Sequence, residues 1–190
     1  MLSRPAFWKS QDGYTLFEVF VVAALVMTIS AIAIPVTMAM VRNARGDSAL
    51  VATASFLETA RNRAVSERRN MVVTFPTTNS ILIQRAEWPG PALTTVGTMT
   101  LEGNQEFIRE GLPDSPDLFG GPAENAINWT GAAPVMFSSE GTLIDAAGDV
   151  SNGTIFIVRR GDPTTGRAIS IWGITGLLRT WKWRGSGWMQ

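Results

Sequence analysis

GYTLFEVFVVAALVMTISAIAIPVTMAMV, residues 13–41, is the stretch of this sequence that decides the architecture. Its last 23 positions, Val19 to Val41, carry no charge. As an α-helix rising about 1.5 Å per residue the run reaches roughly 35 Å, and a bilayer core is about 30 Å thick. Two other readings compete with a membrane span. A buried core helix of a small soluble domain shows a polar face, which the run lacks. A cleaved secretory signal has a shorter apolar region that ends in a small-residue cleavage site. The run therefore predicts a single membrane-crossing helix.

Arg4, Lys9 and Asp12 precede the run, and Arg42 and Arg45 follow it close to Asp47. These counts lean toward a cytoplasmic amino terminus under the positive-inside rule. The leader is too short to hold a folded domain, so residues 42–190 are expected on the periplasmic side. Glu18 does not belong to a plain anchor. A carboxylate costs about 2.5–3.5 kcal/mol at the centre of a bilayer and less near its edge. Such a group persists when it has a partner. Cleavage between Gly13 and Tyr14 would create an α-ammonium four residues from Glu18, on the same chain or on a neighbouring one. That pairing would neutralise both charges and set the stagger of packed helices.

Gly13-Tyr14-Thr15-Leu16-Phe17-Glu18 before an apolar helix resembles the type III signal of type IV pilins and type II secretion pseudopilins. The resemblance implies that a prepilin peptidase cuts after Gly13 and methylates the new terminus at Tyr14. It makes Glu18 the carboxylate that docks the subunit, and Pro35 the helix-disturbing proline of this depth. Pro removes one backbone donor and is expected to kink or loosen the helix. Asp12 and Tyr14 depart from the commoner residues, a basic or neutral one and Phe. The implied organisation is a cleaved leader at 1–13, a membrane and filament-core helix at 14–41, and a periplasmic head at 42–190. The implied partners are the peptidase/methyltransferase, other minor and major pilins or pseudopilins, and the inner membrane.

Beyond the run, Leu50, Val51, Ala54, Leu57, Ala64 and Val65 recur at helical spacing, so the helix is expected to continue to Asn70. Arg61 interrupts that stripe. The arginines of this stretch read as a solvated face or as a contact for an anionic partner. Met71–Phe75 and Ile81–Ile83 read as a hairpin. Residues 87–131, rich in Gly, Pro, Asn and Asp, read as a loop region with short edge strands near Met99–Leu101 and Glu106–Arg109. Strands follow at Pro134–Phe137, Ile155–Val158, Ala168–Trp172 and Leu177–Trp183. A long helix followed by antiparallel strands is an α+β, pilin-like architecture. Ala60-Arg61-Asn62-Arg63-Ala64-Val65, Phe137-Ser138-Ser139-Glu140-Gly141, Ile155-Phe156-Ile157, Gly166-Arg167-Ala168-Ile169-Ser170-Ile171 and Gly173-Ile174-Thr175-Gly176 resemble the GspH/FimT group of minor pseudopilins. That group implies a low-abundance subunit that initiates or tips a filament.

The 190 residues include 16 basic and 16 acidic side chains, no His and no Cys. Thiol nucleophiles, thiolate metal sites, His-based triads and imidazole zinc sites are excluded. No catalytic constellation and no cofactor is expected. The neutral total hides a split: nine acidic residues against Arg109 between Glu102 and Asp149, and six basic residues against Asp162 between Thr154 and Gln190. Arg159, Arg160, Arg179, Lys182 and Arg184 lie among Trp172, Trp181, Trp183 and Trp188. Basic residues among aromatics suit nucleic acid, where phosphates meet cations and bases stack. Some pilins of this group bind DNA through a Gly-Arg-any-Arg element; here Gly176-Leu177-Leu178-Arg179 keeps only Arg179. Strand alternation places Leu177, Arg179, Trp181 and Trp183 on one face and Leu178, Thr180, Lys182 and Arg184 on the other, which favours packing for the tryptophans. Asp145, Asp149, Ser151 and Asn152 read as a turn rather than a calcium loop. Asp114 and Asp117 read as a solvated loop rather than an acid–base pair. Gly120-Gly121-Pro122 lacks the Lys-Ser/Thr of a phosphate loop.

Overall fold

The computed structural model describes residues 13–114, 116–117 and 125–190. The chain divides into two units, Met1–Met40 and Val41–Gln190.

The first unit carries the opening half of α1 (Leu16–Glu67). None of residues 13–40 is buried. Phe17, Phe20, Leu25, Met27 and Ile32 are among its exposed apolar side chains. α1 is long and apolar enough to cross a membrane. Two of its hydroxyls are satisfied by the helix itself: Thr28 Oγ1 donates to Ala24 O at 2.8 Å and Thr37 Oγ1 to Ala33 O at 2.9 Å. Pro35 does not break the helix, which is assigned continuously through it. Its missing N–H leaves the Ala31 carbonyl without the usual amide donor.

In the second unit α1 buries Gly46, Ala49, Leu50, Thr53, Leu57, Ala60 and Ala64. These recur every three or four residues and make one stripe of mostly small side chains. The helix stops at Glu67, three residues short of the sequence expectation. Arg68 takes φ 52° and Arg69 N donates to Ala64 O at 3.1 Å. This six-to-one bond satisfies a terminal carbonyl in the Schellman manner, with arginine in the position that glycine usually fills.

Among the described residues, eleven strands form two antiparallel sheets. The first has the order β3-β2-β1-β6-β7, from β1 (Met71–Thr77), β2 (Ser80–Ala86), β3 (Leu93–Thr100), β6 (Val135–Phe137) and β7 (Leu143–Ile144). The second has the order β11-β10-β9-β8-β4, from β4 (Gln105–Glu106), β8 (Gly153–Arg159), β9 (Asp162–Trp172), β10 (Leu177–Trp183) and β11 (Trp188–Met189). β5 (Ile127–Trp129) also pairs with β8.

Four strands differ from the sequence expectation, among them β5, which forms at Ile127–Trp129 inside the stretch expected to be loop. β3 is a full strand paired with β2 from Ser80↔Thr100 to Ala86↔Leu93, where only a short edge strand was expected. β7 and β11 were not expected, and each is two residues long.

The main core lies between α1 and both sheets. Leu50, Leu57, Met71, Val73, Ile81, Ile83, Phe137, Leu143, Ile155, Ile157, Ile169 and Ile171 build it. Alternation sends Phe156, Val158 and Ala168 to the opposite face of the second sheet. There they meet Leu112, with Ile108, Trp181, Trp183 and Trp188 packed against them. Hence β8 is buried on both faces.

Candidate assembly segment and head surface

The amino-terminal site is built around a helix start. Gly13, Tyr14 and Thr15 are non-helical and exposed, and Tyr14 keeps 82% of its surface. The Gly13–Tyr14 bond therefore stands in accessible, irregular chain, the kind of backbone that proteases cut. Thr15 is the cap: its Oγ1 accepts the Glu18 N–H at 3.2 Å, and its carbonyl accepts the Val19 N–H at 3.2 Å. Thr15-Leu16-Phe17-Glu18 has the Ser/Thr-x-x-Glu spacing of a capping box. Sequence reasoning passed over that signal, although the string was in plain view. Glu18 thus sits in the first turn, where the helix macrodipole favours a negative charge. Tyr14, Glu18, Val22 and Val26, four residues apart, share one face with Val19, Ala23 and Met27. Glu18 is the single charge on that face.

The five candidate nucleic-acid residues do not gather in one groove. Arg159 and Arg160 border a depression with Asn79 and Asn104, Arg179 lies beside Asp117 and Ser170, and Lys182 and Arg184 line a third cavity. Three are engaged within the chain. Arg160 Nη2 meets Glu106 Oε2 at 2.9 Å, Arg179 Nη1 meets Asp117 Oδ2 at 3.7 Å, and Lys182 Nζ meets Asp47 Oδ1 at 3.1 Å.

The opposed charge blocks of the sequence are thereby partly joined inside the head. Arg109 also pairs with Asp114 at 2.6 Å, and the Gly161 N–H donates to Glu110. Asp117 is not in a solvated loop: its side chain is 11% exposed, and it accepts from Ser170 Oγ at 3.3 Å. Trp181 Nε1 in turn donates to Ser170 Oγ at 2.9 Å, and Trp188 Nε1 to Asp114 O at 3.1 Å. These contacts lash residues 107–114 and Asp117 over the tryptophan face.

The helix arginines are likewise only partly solvated. Arg61 Nε donates to Gly141 O at 3.0 Å, and Arg42 Nε lies 3.3 Å from Asp162 Oδ2.

Asp47 is the node where α1 meets the second sheet. Its Oδ1 accepts Arg167 Nε at 2.8 Å as well as Lys182 Nζ. Burial pushes the Asp47 carboxyl up, but hydrogen bonds from Arg167 and Lys182, aided by their charges, hold it below the ordinary carboxylate value. Arg167 is buried and bonded through all three nitrogens, with further bonds to Gly166 O and Asn43 O. Gly46 lets the strand come close, since a Cβ there would lie 3.2 Å from Thr165 O.

Asp145 makes a turn and binds its own backbone. Burial opposes its charge, but N–H groups of Asp149, Ala132, Ala147 and Gly148 outweigh it and lower its pKa. Among the described residues no cluster of three potential metal ligands exists. Asp12 and Gly120-Gly121-Pro122 lie outside the described residues.

The fold defines a class: an α+β chain whose long amino-terminal apolar helix runs on into an antiparallel two-sheet head. No protein-family model matches the chain, and no curated protein sequence matches it. Among solved structures it is similar to the type IV minor pilin FimU of Pseudomonas aeruginosa. There the identity is 18%, with TM-score 0.47 over 76% of this chain and 97% of that one. It is also similar to the minor pseudopilin EpsH of the Type 2 Secretion System of Vibrio cholerae. In that case the identity is 11%, with TM-score 0.45 over 72% of this chain and 95% of that one.

Proposed function

We propose that this chain is a minor pilin or pseudopilin subunit. It is cut between Gly13 and Tyr14, methylated on Tyr14, and built into a filament through residues 14–41. The observation that carries this reading is the unburied apolar helix with one carboxylate in its first turn. An apolar surface of this length needs lipid before assembly, and other apolar helices after it. Glu18 then needs a cation, which the freed Tyr14 ammonium of an adjacent subunit supplies. Pro35 adds a point of local weakness where packed helices can adjust.

The protein's work is mechanical. The helix gives cohesion and a membrane store of subunits; the head presents surfaces to neighbouring subunits at the start or tip of the filament. The leader stays on the cytoplasmic side and the head on the periplasmic side. No catalytic step is assigned to it.

Replacing Gly13 tests processing directly. Gly13→Val should leave the chain inserted in the membrane but uncut, and absent from sheared filaments. Normal shedding of an uncut Gly13→Val chain into filaments would overturn the reading.

A further inference from the structure

A cavity of about 310 Å³ opens beside the first turns of the head helix. Asn43 and Asp47 of α1, Arg167 of β9, Lys182 and Trp183 of β10, and Arg184 line it. Three cations thus face one carboxylate. Their donors are unequally committed. Arg167 spends its guanidinium on Asp47, Gly166 O and Asn43 O. Lys182 gives Asp47 one contact at 3.1 Å, which leaves ammonium protons to spare. Arg184 is exposed, and its side chain has no hydrogen bond or ion pair among the described residues. The cavity therefore keeps a net positive charge and two cations able to take an anion.

Its position along the chain narrows the anion. Val41 ends the apolar run, and Asn43 and Asp47 follow two and six residues later on the same helix. That is about 3 and 9 Å of helical rise. If residues 14–41 span the bilayer, the cavity wall formed by these residues lies at headgroup depth. Trp183 stands there too, and tryptophan is the side chain that settles at membrane interfaces. We infer that Lys182 and Arg184 bind the phosphate of an anionic phospholipid headgroup, which steadies the head against the membrane before assembly. This inference rests on the membrane-spanning reading proposed above. A polynucleotide offers the same phosphate but would have to lie against the lipid surface to reach it.

The test uses the full chain in vesicles of mixed phosphatidylcholine and phosphatidylglycerol. The protein is extracted in mild detergent and its retained lipids are counted by native mass spectrometry. Phosphatidylglycerol should be enriched several-fold over the vesicle composition. Lys182→Gln with Arg184→Gln, and Arg184→Gln alone, should bring the ratio back to that composition. Arg63→Gln, the same charge change on an exposed helix position, should not. Arg184→Gln breaks no hydrogen bond or ion pair among the described residues, and Arg184 is exposed, so misfolding does not confound it.

Enrichment that is absent, or unchanged in the Arg184 variants, overturns the inference. A headgroup tethered in the bilayer holds a high local concentration, so inorganic phosphate at millimolar level should displace it no more than chloride at matched ionic strength does. Displacement by phosphate alone shows a free-phosphate site and overturns the inference, and displacement by a short single-stranded DNA beyond that salt control does the same. An alkaline wash separates the two readings. A chain stripped from the vesicles by alkali sinks the span and the headgroup site together; a retained chain without lipid preference sinks only the site.

Discussion

Glu18 has two physical reasons to be where it is, and a single substitution separates them. At the fourth position of a capping-box sequence it can be replaced by Gln, which suits that position as Glu does. As the partner of an ammonium it cannot, because the charge is lost. Glu18→Gln should leave membrane insertion intact and cut incorporation into filaments by about tenfold or more, equivalent to about 1.4 kcal/mol per subunit. Quantifying the variant in membranes and in sheared filaments checks this; full incorporation would reduce Glu18 to a cap.

Gly176 poses a different residue-scale question. It has φ +63°, and a Cβ there would sit 2.2 Å from Gly141 O and 2.6 Å from Arg61 Nε. Gly185 has φ +84° with nothing within 4 Å. Gly185→Ala should cost about 1–2 kcal/mol from backbone conformation alone. Gly176→Ala should add a further roughly 1–3 kcal/mol of overpacking and a displaced Arg61 contact. Denaturant midpoints of the two variants measure the difference, and equal costs would show that the helix-to-turn contact yields without strain.

At the scale of elements, the junction of α1 with β9 and β10 turns on Asp47. Asp47→Ala leaves buried Arg167 without its Nε acceptor and should lower stability by about 1–3 kcal/mol near neutral pH. The pH dependence follows from the lowered pKa of Asp47. A depressed carboxyl contributes stability that is present above its unfolded value, near 3.8, and is lost as pH falls through the folded value. Native protein should therefore weaken below about pH 4, and Asp47→Ala should weaken less steeply over that window. Thermal melts between pH 2 and pH 7, a range set by the carboxylate pKa values, report both. An identical acid slope in the variant would mean that the slope belongs elsewhere, with Asp145 the next carboxylate to examine.

This junction also marks where reading the sequence stops. The apolar run was legible because 23 uncharged positions leave few physical alternatives. β8, β9 and β10 were legible as β-branched and aromatic runs, and alternation placed Trp181 and Trp183 on the face opposite Leu178. β3 was harder to see: Leu93-Thr94-Thr95-Val96-Gly97-Thr98-Met99-Thr100 is polar, holds a glycine, and becomes a strand by pairing with β2 across a bulge. Asp47 and Arg167 are 120 residues apart, so no local pattern announces their contact. The charge split was visible, but not that Arg160 and Arg179 would meet Glu106 and Asp117. Folding brings together what composition shows only as two blocks. The Thr-x-x-Glu spacing at Thr15–Glu18 is legible in the sequence as a helix start.

The molecule combines a helical segment in which none of residues 13–40 is buried with a head that builds a core of its own. The head's basic tail is partly neutralised from within, through Glu106, Asp117 and Asp47. Together with a formal net charge of zero, this predicts no retardation of short single-stranded DNA by the full chain in detergent at physiological salt. A gel shift that persists at that salt would reinstate nucleic acid as a partner.

The exposed helix carries the larger claim. In the proposed function it meets lipid first and other helices afterwards, and that change requires the ammonium that cleavage creates. The direct measurement is intact-mass and amino-terminal peptide mass spectrometry on the protein from cells with an active prepilin peptidase. The expected mature chain begins at Tyr14 with a methyl group on its amine. A chain that still begins at Met1, or one cut anywhere else, contradicts the assignment.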